Sequence, residues 1–224
     1  MGLPVMMVDF DGVLNVFPQK KQQLRGGVRD TSSMPDDNPR KDLYSYAHAF
    51  QAYRKSKVRV RDMRIALRWS PELLTSLLEL IQNDEAHWTW LSTWQPYIED
   101  ILYPVLDIDP HAVDGRMDIA QWYNLSQFNE IPGYGKQEYV QSWLKEHDEP
   151  LVWIDDEAAD TSTLDELQYE FGDSRKVLMI QPNDEIGISR SQFEHIKEFL
   201  AHPSVGFKLY SEAFDTGTLT GLFK

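Results

Sequence analysis

The sequence predicts an α/β fold, a Rossmann-like three-layer sandwich with a central parallel sheet and a small flap or hairpin inserted after the first strand. Two observations predict it. Short, continuous apolar runs recur, and each ends on residues with chemistry to offer: residues 3–8 run into Asp9, residues 87–91 into Ser92, and residues 151–154 into Asp155 and Asp156. Stretches with helical periodicity lie between them, and this alternation is the pattern of a parallel sheet covered by helices on both faces. Ligands of such sheets bind outside the carboxyl ends of the strands. Asp9, Asp11, Ser92, Asp155 and Asp156 are therefore predicted to meet on one edge, although the chain separates them widely.

The elements follow in order. The Val- and Met-rich run at 3–8 is short and closed by Asp9-Phe10-Asp11-Gly12, a buried strand entering a loop. Residues 15–53 are polar and turn-rich: Arg25-Gly26-Gly27 and Met34-Pro35-Asp36-Asp37-Asn38-Pro39 oppose regular structure until a Tyr/Ala/Phe patch at 44–53. Val58 and Val60 alternate with Arg59 and Arg61, and a second run reaches Ile65, Leu67 and Trp69, which predicts a hairpin with one basic face. Ser70-Pro71-Glu72 is a helix start, with a hydroxyl cap, a proline where no N–H is needed, and an acid at the positive helix end. Leu73, Leu74, Leu77, Leu78 and Ile81 form its apolar stripe. An aromatic-rich strand at 87–91 and a short helix at 96–103 stopped by Pro104 come next. Residues 136–147 read as a helix with Val140, Trp143 and Leu144 inward. Residues 151–154 and 177–180 read as strands, and Ser189 caps a last helix carrying Phe193, Ile196, Phe199 and Leu200. The reading gives a core over 1–201, with 15–68 as its insert, and assigns no role to the tail 202–224.

Composition narrows the function classes. With 224 residues and 42% hydrophobic content the chain can bury a full core. A net charge of -14 opposes broad attraction to nucleic acid or anionic membrane, although a local basic patch reverses that argument. The absence of cysteine excludes disulfides and thiolate zinc sites and fits a reducing compartment. No signal peptide and no apolar run of the ~20 residues needed to cross a bilayer is evident, so a soluble cytoplasmic protein is expected. No protein partner can be inferred.

An acidic cluster at a sheet edge repels itself and calls for a cation, and all-oxygen ligation selects a hard ion such as magnesium. Such an ion recruits phosphate, and phosphoryl transfer further needs a nucleophile, a proton donor and positive or hydrogen-bonding groups around the transferring oxygens. An EF-hand is excluded because, counting from Asp9, Val13 and Lys20 stand where ligands are required.

Val8-Asp9-Phe10-Asp11-Gly12-Val13-Leu14-Asn15 resembles the first motif of the haloacid dehalogenase (HAD) superfamily. Trp88-Thr89-Trp90-Leu91-Ser92 resembles the second, with Thr93 as the alternative to Ser92. Lys136 after Gly133-Tyr134-Gly135 is similar to the lysine of the third, and Leu151-Val152-Trp153-Ile154-Asp155-Asp156 resembles the double-aspartate form of the fourth. All occur in family order, and Trp69-Ser70-Pro71-Glu72-Leu73 is similar to a subgroup of small HAD-type domains, some found in RNA-repair proteins. The resemblance implies that Asp9 attacks phosphorus and forms an aspartyl phosphate, while Asp11 protonates the leaving oxygen and then activates water. It implies magnesium held by the Asp9 carboxylate, the Asp11 backbone carbonyl and Asp155, with Asp156 a direct or water-mediated partner. It further implies that Ser92 (or Thr93) binds phosphate and that Lys136 neutralises the charge gathered there. A proton donor at Asp11 suits an alkoxide leaving group rather than halide displacement.

Arg54, Lys55, Lys57, Arg59, Arg61, Arg64 and Arg68 concentrate positive charge in one segment. Such a run reads either as a solvated hairpin face or as a grip on further phosphates, with Arg59 and Arg61 as candidate substrate-binding residues. The expected function is a phosphomonoesterase acting on a nucleotide or a polynucleotide terminus. The alternatives are a generic small-metabolite phosphatase and a catalytically silent phosphate-sensing or protein-binding module on the same fold.

Overall fold

The computed structural model describes residues 2–18, 34–122 and 134–213. Six parallel strands make the central sheet: β1 (Val5–Val8), β4 (His87–Trp90), β5 (Met117–Ile119), β6 (Leu151–Ile154), β7 (Lys176–Gln181) and β8 (Gly206–Ser211), in the order β5-β4-β1-β6-β7-β8. The hairpin of β2 (Arg54–Val60) and β3 (Met63–Trp69) stands apart as an antiparallel pair. The predicted fold class is the observed one.

Strand alternation divides the core between the two faces of the sheet. Met6, Val8, Trp88, Trp90, Val152, Ile154, Leu178 and Ile180 face one side, where α2 (Pro71–Gln82), α6 (Arg190–Ala201) and the apolar face of the hairpin cover them. Met7, Leu151, Trp153, Val177, Met179 and Phe207 face the other, against α4 (Tyr134–Glu146) and α5 (Thr161–Phe171). Central strands buried on both sides are why β1 and β6 read as continuous apolar runs. Trp88, Trp90 and Trp153 are wholly buried, as expected of core tryptophans.

The helix starts obey local chemistry. Ser70 accepts from the Leu73 N–H ahead of Pro71, and Ser189 forms a reciprocal capping box with Gln192. In α2 Leu80 is buried with Leu73, Leu74, Leu77 and Ile81, whereas Leu78 is half-buried at the border of the stripe.

Four features differ from the sequence reading. Within 34–39, Asn38 and Pro39 do not merely break structure: the Asn38 side chain caps a short helix, α1 (Pro39–Leu43), with proline at a position that needs no N–H. Pro104 does not stop the helix that precedes it. A π-turn over Ile98–Leu102 hands over to α3 (Tyr103–Leu106), which holds the proline in its first turn, and the stop comes at Asp107 with φ 55. The short β5 was not foreseen. Nor was β8, in the stretch left without a role, which pairs with β7 over its whole length and buries Phe207. The readings placed on Arg25-Gly26-Gly27, on Gly133 and on residues 214–224 lie outside the described residues.

Candidate active site

Sheet register builds the site. Val8 of β1 lies level with Trp90 of β4 and with Ile154 of β6, so the residues just past those strand ends come together. The Asp9 N–H donates to the Ile154 carbonyl at 3.0 Å, and the Leu91 N–H to the Val8 carbonyl at 2.9 Å. This sets Asp9 beside Asp155, with Ser92 one residue further along the neighbouring strand. Asp9, Ser92, Asp155 and Lys136 are all buried. The lysine comes from the first turn of α4, where a cation opposes the helix dipole. The carboxylates hold it there: its ammonium donates to Asp9 Oδ2 and to Asp155 Oδ2, both at 2.7 Å. Asp155 is anchored further by the N–H groups of Glu157 and Ala158 at Oδ1 (3.0 and 2.8 Å), and Asp9 Oδ1 accepts from the Phe10 N–H at 2.7 Å.

The electrostatics follow from burial. Desolvation pushes the Asp9 carboxyl up to about 6, with Asp155 adding to the rise and Lys136 and Ser92 opposing it. Burial pulls the Lys136 ammonium down, but Asp155 and Asp9 outweigh it and raise its pKa above the ordinary lysine value. Asp156 is pushed up to about 8, first by burial, then by Asp155, Asp9 and Glu157. Oxygens of Asp9, Asp155 and Asp156 lie within 4.8 Å of one another. With these three carboxylates ionised, one lysine leaves negative charge uncompensated, and an all-oxygen set of this kind fits a hard divalent cation. Gly12 completes the cradle. Its φ is +69, and a Cβ there would collide with the Asp156 carboxylate.

Asp11 is held apart from that cluster. Asn15 Nδ2 donates to its Oδ1 at 2.6 Å and Trp94 Nε1 to its Oδ2 at 2.8 Å, which fixes the carboxyl plane. Trp94 packs edge-on against Phe10, with ring centroids 5.5 Å apart. Neither Asn15 nor Trp94 was singled out from the sequence as a site residue. A tryptophan two residues after the strand-ending serine was the available signal, but it reads equally well as core.

The remaining candidates divide. Ser92 is fully buried, accepts from the Trp94 N–H at 3.3 Å and hydrogen-bonds Asp9, whereas Thr93 is exposed. Arg59 and Arg61 lie at the turn end of the hairpin. Arg59 is 75% exposed near the hairpin turn, where its Nε donates to the Arg61 carbonyl at 3.1 Å and Asp62 lies 3.8 Å away. Its cross-strand partner Arg64 stands four residues outward from Arg68, about 13 Å at the ordinary strand rise. Arg68 touches the site's periphery, since its N–H donates to Asn15 Oδ1 at 2.8 Å.

Compared with protein families, residues 5–193 match the HAD domain in Swiss Army Knife RNA repair proteins. The chain belongs to this family. The match runs from β1 into α6 and across the hairpin, and so takes in Asp9, Asp11, Ser92, Lys136, Asp155 and Asp156. Neither the curated proteins nor the solved structures contain a match to the chain. Among the described residues, no helix is long and apolar enough to cross a membrane.

Proposed function

We propose that this HAD domain is a magnesium-dependent phosphomonoester hydrolase that removes a terminal phosphate from a nucleotide or a polynucleotide end through an aspartyl phosphate at Asp9. The observation that carries the reading is the separation of two aspartates two residues apart. Asp9 is buried and bound to Lys136, whereas the Asp11 carboxylate is clamped by Asn15 and Trp94. One is set up as a nucleophile held beside positive charge, the other as a proton carrier of fixed orientation.

In the first half-reaction a carboxylate oxygen of Asp9 attacks phosphorus, the bond from phosphorus to the ester oxygen breaks, and that oxygen takes the proton of Asp11. In the second, Asp11 accepts a proton from water as the water oxygen attacks phosphorus, and the bond to Asp9 breaks to release inorganic phosphate. Lys136 stabilises the negative charge beside the transferring group, and the Ser92 hydroxyl is the hydrogen-bonding partner for a phosphate oxygen. Asp9, Asp155 and Asp156, with the Asp11 carbonyl, would hold magnesium, which when bound supplies charge neutralisation and orientation for the phosphate. The nucleic-acid part of the reading is supported by the family's occurrence in RNA repair proteins and by the basic hairpin.

Phosphate release from nucleoside monophosphates, 5′- and 3′-phosphorylated oligonucleotides and sugar phosphates, with magnesium or with EDTA, tests the proposal. Metal-dependent release lost in Asp9→Asn is expected, with nucleic-acid ends among the better substrates. Preference for sugar phosphates would favour a small-metabolite phosphatase, and magnesium binding without turnover would favour a silent module.

A further inference from the structure

The hairpin sorts its side chains more sharply than alternation in the sequence suggests. Directly paired residues of an antiparallel ladder share a face, so the rungs Lys55–Arg68, Lys57–Ala66 and Arg59–Arg64 make one face. Every position on it is basic except Ala66. The rungs Arg54–Trp69, Ser56–Leu67, Val58–Ile65 and Val60–Met63 make the other, on which Val58, Val60, Leu67 and Trp69 enter the core and only the terminal Arg54 is charged. The basic face therefore points away from the body of the domain, and Lys55, Lys57, Arg59 and Arg64 are exposed. Four exposed cations on two adjacent strands contribute little to folding, since like charges paired across a ladder repel. In a chain of net charge -14 they form a local reversal of sign.

The inner end of this face is tied to the candidate site. Val16 donates its N–H to the Arg68 carbonyl at 2.9 Å, Arg68 donates to Asn15 Oδ1, and Asn15 donates to Asp11. The cations lead outward from there, about 6.8 Å apart along each strand and about 5 Å apart across it. That is a narrow double row, wide enough for one phosphate backbone. Two half-exposed aromatic residues flank its root in the chain: Phe17, next to Val16, and Tyr53, next to Arg54. Aromatic side chains of this kind stack on unpaired bases, which a duplex conceals.

We propose that the basic face of the β2–β3 hairpin is a track for a single-stranded polynucleotide, which binds through its phosphates and delivers its phosphorylated end past Asn15 to Asp9. The inference rests on the phosphohydrolase reading for the end that is delivered, but not for the binding itself. The rungs from Lys55–Arg68 to Arg59–Arg64 span about 13 Å, so a short single-stranded segment fills the track, with its phosphates facing the four exposed cations.

The test is fluorescence anisotropy with Asp9→Asn protein, which needs no turnover, and with labelled unphosphorylated 12-mers of mixed-sequence RNA and DNA. Single strands are expected to bind, with a slope of log K against log salt of about −3 for four phosphate contacts. Adding Lys55→Glu, Lys57→Glu and Arg64→Glu together is expected to weaken binding at least tenfold with the thermal transition retained. In the otherwise unmodified enzyme, the ratio of kcat/KM for a phosphorylated octamer to that for a mononucleotide should fall to about one on the same triple change. Equal binding of a duplex of the same sequence, equal competition by polyglutamate, or unaltered binding by the triple variant overturns the track. An enzyme that hydrolyses no ester while Asp9→Asn still binds single strands would instead sink the phosphatase reading and leave the track standing.

Discussion

The acidic sheet edge and the basic hairpin face are both clusters of like charge, yet they are built on opposite terms. At the edge, Asp9 and Asp155 are buried, and Lys136 lies at hydrogen-bond distance from both. On the hairpin, Arg59 is three-quarters exposed and its ion-pair partner Asp62 stands fully in solvent 3.8 Å away. Charges out of water must be paired or neutralised, so their geometry is dictated and each is expensive to remove. Charges in water are screened and contribute little to folding, so they can be kept for an approaching ligand. On the proposed reading the difference separates a place where bonds are made from a place where a substrate is gathered, and each region should respond to mutation in its own way.

The largest expected effect is on chemistry at the buried edge. Asp9→Asn keeps shape but removes the proposed nucleophile, and turnover should fall by at least ~1000-fold, a loss of about 4 kcal/mol in transition-state stabilisation. Phosphate release under saturating magnesium measures it. Lys136→Met should cost both activity and stability, because it strands two buried carboxylates. A loss of ~3–5 kcal/mol in urea unfolding is expected. An unchanged unfolding midpoint would mean that the Asp9–Lys136–Asp155 bridge is not what neutralises the edge.

A pH-dependent effect comes next. The Asp156 carboxyl is raised from 3.8 to about 8, so between those values the native state holds a proton that the unfolded chain has lost. In metal-free protein, stability should accordingly fall as pH rises across this window, and Asp9, raised to about 6, adds a decline of the same sign up to that value. Asp156→Asn should flatten the upper part of the decline. Melting temperatures from pH 5 to 8.5 in EDTA test this, and magnesium should lift the wild-type curve most at the alkaline end. Gly12→Ala should weaken the same magnesium stabilisation, because its Cβ displaces Asp156 and its φ of +69 disfavours any side chain.

The smallest effect belongs to the hairpin. Lys57→Ala should change folding stability by no more than about 0.5 kcal/mol. A change as large as that of Lys136→Met would erase the distinction between the two regions.

These contrasts also explain what was legible in the sequence. Asp9, Ser92 and Asp155 could be placed together because each follows a fully buried strand, and such strands appear as unbroken apolar runs. Lys136 was found through its motif, not through its surroundings. The hairpin and its basic face followed from period-two alternation at 58–61. Trp94 escaped because its indole divides its role, packing on Phe10 while donating to Asp11, and sequence periodicity reports only the packing. The edge strands β5 and β8 escaped for a related reason: Met117–Ile119 is three residues long, and Gly206–Ser211 buries only Phe207 fully, so neither carries a strong apolar signal. Pro104 misled because a π-turn before it leaves no residue signature, and the proline itself sits in the first turn of α3, where its missing N–H costs nothing.

The most direct measurement of the central claim is a rapid acid quench of the magnesium-loaded protein during turnover of a 32P-end-labelled oligonucleotide, followed by peptide mapping. Acid-stable, hydroxylamine-sensitive label on the peptide containing Asp9, absent from Asp9→Asn, is the result expected of an aspartyl phosphate. Rapid turnover with label accumulating on another residue, or full activity in Asp9→Asn, would contradict it.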